Sequence, residues 1–123
     1  MDWSEAEMAC ERQGSHLASV TNQEVHNYIK GKQIKAWIGG TDMNEEGTWL
    51  WTDCSDWSFN SGWNSGQPDD YLAQEDCAEI VHGGKDNSYG WNDQPCNTTQ
   101  RFVCSKAICA GKEVKFVQNR VIF

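Results

Sequence analysis

No stretch of this chain approaches the roughly 20 consecutive apolar residues that a membrane-crossing helix needs. Basic residues are few: 10 Lys and Arg stand against 18 Asp and Glu, for a net charge of −8. Such a chain repels a phosphate backbone, which argues against a nucleic-acid partner. There is no Cys-x-x-Cys pair and no His-x3-5-His spacing near the cysteines, so a zinc site is poorly supported. No nucleophile elbow, nucleotide loop or EF-hand occurs, and no repeat or low-complexity segment. The three histidines, His16, His26 and His82, read most simply as surface residues. Catalysis therefore has little to stand on. Residue 2 is Asp, and the first residues lack the apolar core of a secretory signal. That leaves the destination of the protein open.

What is present is one domain's worth of chain, 123 residues. Seven Trp and eleven Gly are the opposite of a disordered composition. Six cysteines stand at 10, 54, 77, 96, 104 and 109 and point to structural disulfides in an oxidising compartment. Six cysteines allow about 15 connectivities, so their spacing does not choose one.

Asp2 and Glu5 have capping-box spacing and predict a helix with apolar Trp3, Ala6, Met8, Ala9 and Cys10, stopped at Gly14. Thr21 and Glu24 predict a second helix, with Val25, Tyr28 and Ile29 on its inner face. Strands are expected at Ala36–Gly40 and Thr48–Trp51, the latter with Trp49 and Trp51 on one face and Leu50 on the other. Further strands are expected at Cys77–Val81, Tyr89–Asn92 and Arg101–Cys104. Helices first and strands after read as an α+β fold with an antiparallel sheet. Between them, Thr52 to Asp76 is a long polar stretch, and loops of that length are normally functional or disordered. Its Trp57, Phe59, Trp63 and Tyr71 favour an ordered, functional loop.

Acids and amides cluster in this region: Gln67, Asp69, Glu75, Asn92 and Asp93. They offer oxygen ligands only, which suit Ca2+ better than Mg2+. Loop Asp and Asn also serve commonly as turn formers. At this point the motifs themselves carry more than composition does. Trp37-Ile38-Gly39, Trp49-Leu50-Trp51, Gln67-Pro68-Asp69, Glu75-Asp76-Cys77 and Trp91-Asn92-Asp93, with Cys96 and Cys104, resemble a C-type lectin-like domain from Asp2 to about Lys106. The resemblance implies a two-helix α+β fold with antiparallel sheets and a long calcium-binding loop region. It implies disulfides Cys10–Cys104 and Cys77–Cys96, each typically contributing about 2–4 kcal/mol. It implies a principal calcium site of Gln67, Asp69, Glu75, Asn92 and Asp93, with a cis peptide at Pro68. Asp42, Glu46, Asp70 and Asp76 match the positions of the family's auxiliary calcium site; the alternative for them is a solvated acidic surface.

In this family the ion also holds the sugar. Glu-Pro-Asn would resemble the mannose type, whereas Gln67-Pro68-Asp69 resembles the galactose type. Gln67, Asp69, Glu75 and Asn92 then bind sugar hydroxyls, and Tyr71 stands where that type carries an aromatic platform for the apolar face of galactose. The implied protein is a secreted, Ca2+-dependent lectin for galactose-type glycans or glycoproteins, with homo-oligomers as its route to avidity. The rivals on the same fold are ice binding, as in type II antifreeze proteins, and protein-ligand binding. Thr41, Thr48, Thr52, Thr98 and Thr99 form no evident flat array for ice. Asn97-Thr98-Thr99 fits the N-glycosylation sequon of a glycoprotein.

Two features depart from the family pattern. The chain starts directly at the first helix, and a tail, 107–123, follows the last main strand. That tail resembles the displaced opening strand, as in a circular permutation, within a single domain spanning 1–123. Cys54 and Cys109 are left over, bonded either to each other or, one of them, to another chain.

Overall fold

The computed structural model describes residues 1–59, 61–63, 67, 68, 75–83, 88–110 and 113–122, with the backbone alone for 82–83, 88–89, 106–110 and 113–122. Helix α1, Trp3–Glu11, begins as the sequence predicts. The Asp2 side chain accepts from Glu5 N–H, and the Glu5 side chain accepts from Asp2 N–H. Trp3, Ala6, Ala9 and Cys10 are buried, whereas Met8 is exposed. Helix α2, Gln23–Lys30, is capped one residue later than expected, by Asn22 rather than Thr21. The Asn22 side chain accepts from Val25 N–H at 2.9 Å. Ile29 and His26 face the core, and Tyr28 is exposed under the Lys32 ammonium.

Short strand β1, His16–Leu17, was not visible in the sequence. Strand β2, Ala36–Thr41, is buried along its whole length, with Ala36 and Ile38 in one apolar cluster and Trp37 in the other. It pairs antiparallel with β3, Leu50–Trp51, and with β4, Cys77–Gly83. Strand β4 pairs in turn with β5, Ser88–Gln94. Strand β6, Arg101–Ala110, runs parallel to β2, which corrects the expectation of a purely antiparallel sheet. The reason is connectivity: β3, β4 and β5 intervene between β2 and β6, so no hairpin dictates their relative direction. The sheet order is β1-β6-β2-β4-β5, with β3 on β2 and the tail strand β7, Glu113–Ile122, on β6.

Two apolar clusters flank the sheet. One gathers Ile29, Ile38, Trp51, Ile80, Trp91 and Val103 beneath α2 and the long loop. The other packs Trp3, Cys10, Leu17, Trp37 and Phe102 beneath α1. Gly39 sits where β1 crosses β2, and a Cβ there would lie 2.6 Å from the Leu17 carbonyl oxygen. The disulfides Cys10–Cys104 and Cys77–Cys96 tie α1 to β6 and the start of β4 to the turn after β5. Cys54 is also disulfide-bonded, and the side chain of Cys109 lies outside the described set.

Strand β7 forms an antiparallel hairpin with β6, Ile122 facing Phe102 and Val121 facing Val103. The tail therefore lies on the sheet, at the edge of β6.

Candidate functional site

The site grows from the loop end of the β2–β4–β5 ladder. The Asp42 N–H donates to the Asp76 carbonyl at 3.1 Å, and the Thr41 hydroxyl donates to the same oxygen at 2.7 Å. These bonds lock the end of β2 to the segment entering β4. Ligand oxygens of Asp42, Glu46 and Asp76 consequently come within 4.8 Å of one another. Asp42 is 2% exposed; one carboxylate oxygen accepts from Gly47 N–H at 3.0 Å. Its other oxygen, Oδ1, is buried without a hydrogen-bond partner. A buried carboxylate oxygen left unmatched among other acids is costly unless a proton or a cation meets it. Hard, crowded oxygen donors fit Ca2+.

Beside this triad lies a cavity of about 550 Å3, whose lining includes Asp42, Glu46, Trp49, Trp63, Gln67 and Asp93. The Gln67–Pro68 peptide bond is cis. Asp93 is fully buried opposite Ala78, and Asn92 is half-buried opposite Glu79. Glu75 is half-buried immediately before Asp76. The structure thus brings Gln67 and Asp93 to one cavity with Asp42 and Glu46. Asp69, Asp70 and Tyr71 lie outside the described residues.

The cavity wall is aromatic. Trp49 meets Trp63 edge-on at 4.8 Å, and Trp57 stacks on Trp51 at 4.3 Å. Trp91, fully buried, takes Trp51, Trp57, Trp63 and Phe59 around its ring. Such rings supply large apolar area with directional edge-to-face contact, and this holds the long loop onto the sheet. The Trp91 N–H donates to the Gly62 carbonyl at 2.8 Å, which anchors the loop beside Asn92 and Asp93.

Sequence reasoning missed Glu79. It is 1% exposed and accepts from Asn92 Nδ2 at 2.8 Å and from Gln94 Nε2 at 2.9 Å. The alternation of Cys77-Ala78-Glu79-Ile80-Val81 held the signal, since an acid at the centre of an otherwise apolar strand requires a partner. His26 corrects the expectation of surface histidines. It is buried among Phe59 and Trp91, and its Nδ1 has no hydrogen-bond partner. Burial, and then the Lys30 charge, push its pKa down. His16 is half-buried and meets Glu7 at 2.8 Å. Burial pushes the Glu7 carboxyl up, against the lowering effect of the Leu17 N–H and His16.

A family model described as Lectin C-type domain matches residues 1–106. The chain is 39% identical over 113 residues to the galactose-specific lectin nattectin of Thalassophryne nattereri, covering 86% of this chain and 68% of that protein. It is 35% identical to the CD209 antigen of Nomascus concolor, covering 94% of this chain but 29% of that longer protein. Among solved structures, the mouse scavenger receptor C-type lectin carbohydrate-recognition domain superposes with a TM-score of 0.73 at 33% identity, over 84% of this chain and 78% of that one. Herring type II antifreeze protein gives 0.73 at 30% identity, over 85% and 81%. Fold and site define a lectin-type binding domain. The chain belongs to the C-type lectin domain family, a family of carbohydrate-binding modules that generally bind Ca2+.

Proposed function

We propose that this domain is an extracellular lectin that binds galactose or N-acetylgalactosamine through a bound Ca2+. The observation that carries the reading is one cavity shared by Gln67, Asp93 and the Asp42–Glu46 pair, together with an Asp42 Oδ1 that is buried and unmatched. Gln67, Asp69, Glu75, Asn92 and Asp93 would hold the principal ion, and Asp42, Glu46, Asp70 and Asp76 an auxiliary one. Bound Ca2+ supplies open coordination positions for two neighbouring sugar hydroxyls. The carboxylates around it would accept hydrogen bonds from the sugar hydroxyls, and the amides of Gln67 and Asn92 would donate them. The order Gln67-Pro68-Asp69 favours galactose over mannose. Tyr71 would provide the ring on which the apolar face of galactose stacks. One exposed monosaccharide buries little area, so each site binds weakly and useful affinity comes from several sites. The disulfides, which persist in oxidising surroundings, and the Asn97 sequon support an extracellular glycoprotein.

The test is retention on immobilised galactose in Ca2+, with mannose resin alongside and elution by EDTA. Retention on galactose alone, released by EDTA, is the expected result. Calcium binding without retention on either resin sinks the sugar reading, and moves the weight to ice binding or protein binding on this fold.

A further inference from the structure

We infer that Glu79 is a positioning residue for the cation site, acting through Asn92. The inference rests on the calcium-bridged reading above and adds to it a residue with no place in the cavity lining.

Glu79 lies on β4 directly across the ladder from Asn92 on β5. Its Oε2 accepts two amide N–H groups at once, from Asn92 and from Gln94 two residues on. Asn92 and Gln94 project on the same face of β5, because alternate residues of a strand share a face. A fully buried carboxylate is an expensive group to keep at the centre of an apolar strand. Among the described residues it pairs with the exposed Lys35 ammonium, 3.9 Å from Oε1, which offers little compensation across solvent. Packing does not explain it either, since Ala78 and Ile80 on either side fill the core as apolar residues do.

Two consequences follow for Asn92. With Nδ2 donating to Glu79, the two ends of the amide are distinguished, and Oδ1 is the end that would meet a cation. A carboxylate on the N–H2 end also polarises the amide and makes Oδ1 a stronger donor to a positive ion. Residues that hold a ligand in this way typically cost 10–100-fold in metal affinity when removed.

The test is calcium titration by calorimetry on the wild type, E79A, E79Q, N92A and the E79A/N92A double variant. Each is accompanied by a thermal midpoint in EDTA and by proton exchange of the Asn92 side-chain amide in the ion-free protein. The expected result is at least a tenfold loss of calcium affinity in E79A. E79Q, which keeps one acceptor oxygen and the shape of the side chain, falls between E79A and wild type. In the N92A background, removal of Glu79 changes the affinity no further. Exchange at the Asn92 amide accelerates in E79A without calcium present. Should E79A not fold, E79Q carries the comparison. Wild-type calcium affinity in E79Q and E79A overturns the inference, and so does an undiminished effect of E79A when Asn92 is already gone. A wild type that takes up no calcium instead overturns the reading on which the inference rests.

Discussion

Met1 and Gln100, 99 positions apart, exchange backbone hydrogen bonds: Gln100 N–H donates to the Met1 carbonyl at 3.0 Å, and the Met1 amine donates to the Gln100 carbonyl at 3.4 Å. Strand β7 runs along the same edge, with Ile122 opposite Phe102. One register position, opposite Arg101, separates the two. Met1 therefore continues the line of β7 on β6.

The expected circular permutation would make β7 the edge strand before α1. A peptide bond from residue 123 to residue 1 is expected to leave the fold intact and to raise the thermal midpoint, because closure removes entropy from the unfolded chain. Far-UV circular dichroism and a thermal melt of the cyclised chain check this. An unfolded or destabilised cyclic product counts against the arrangement.

Substituting Asp42 tests the triad. Asp42→Asn removes one charge from three crowded carboxylates, so the ion-free protein is expected to be at least as stable as wild type. Its stabilisation by calcium should shrink. In wild type, calcium at about 100 times its dissociation constant is expected to add about 2.7 kcal/mol, which EDTA would remove. Thermal melts of both proteins with calcium and with EDTA give the comparison. An equal calcium shift in the two proteins excludes Asp42 as a ligand.

His26 sets an acid limb on stability. Its folded pKa lies below the ordinary histidine value of about 6.5, so below that pH the unfolded chain takes up the proton first. Stability is fully present above about pH 6.5 and declines as pH falls towards the folded pKa. His26→Phe keeps an aromatic ring beside Phe59 and Trp91 and removes the titration. Urea unfolding between pH 7.5 and 5 is expected to show a shallower decline in the variant. Parallel curves for the two proteins exclude the histidine as the cause.

Gly62 lies against the Trp91 indole, and a Cβ built there overlaps the ring. Trp91 is fully buried and hemmed by five other rings, so it has no room to yield. Gly62→Ala is expected to cost about 1–3 kcal/mol, as overpacking does. It should also weaken retention on galactose, since Asn92 and Asp93 follow Trp91. Chemical unfolding at neutral pH checks the first effect. A change under about 0.5 kcal/mol shows that the loop shifts freely.

Much of the secondary structure was legible because its causes are local. The Asp2–Glu5 box and the inward Trp51 with outward Leu50 both act within a few residues. The choice of Asn22 over Thr21 as cap was not legible, since both side chains can accept the same kind of bond. Nor was the burial of His26, which depends on Phe59 and Trp91 arriving from distant segments.

The residue types of the site, oxygen ligands without zinc spacing or catalytic motif, belong to the sequence by itself, as do its order of motifs and its acidic charge. The tertiary structure decided which of these residues meet. Asp42 reaches Asp76 only because β2 and the entry to β4 are bonded together. Glu79 reaches Asn92 only because β4 and β5 adopt one register out of several. The parallel pairing of β2 with β6 and the docking of the tail strand were decided at the same level. Long-range pairing is chosen by the burial and hydrogen bonding of the whole sheet, and no short window of sequence contains that sum.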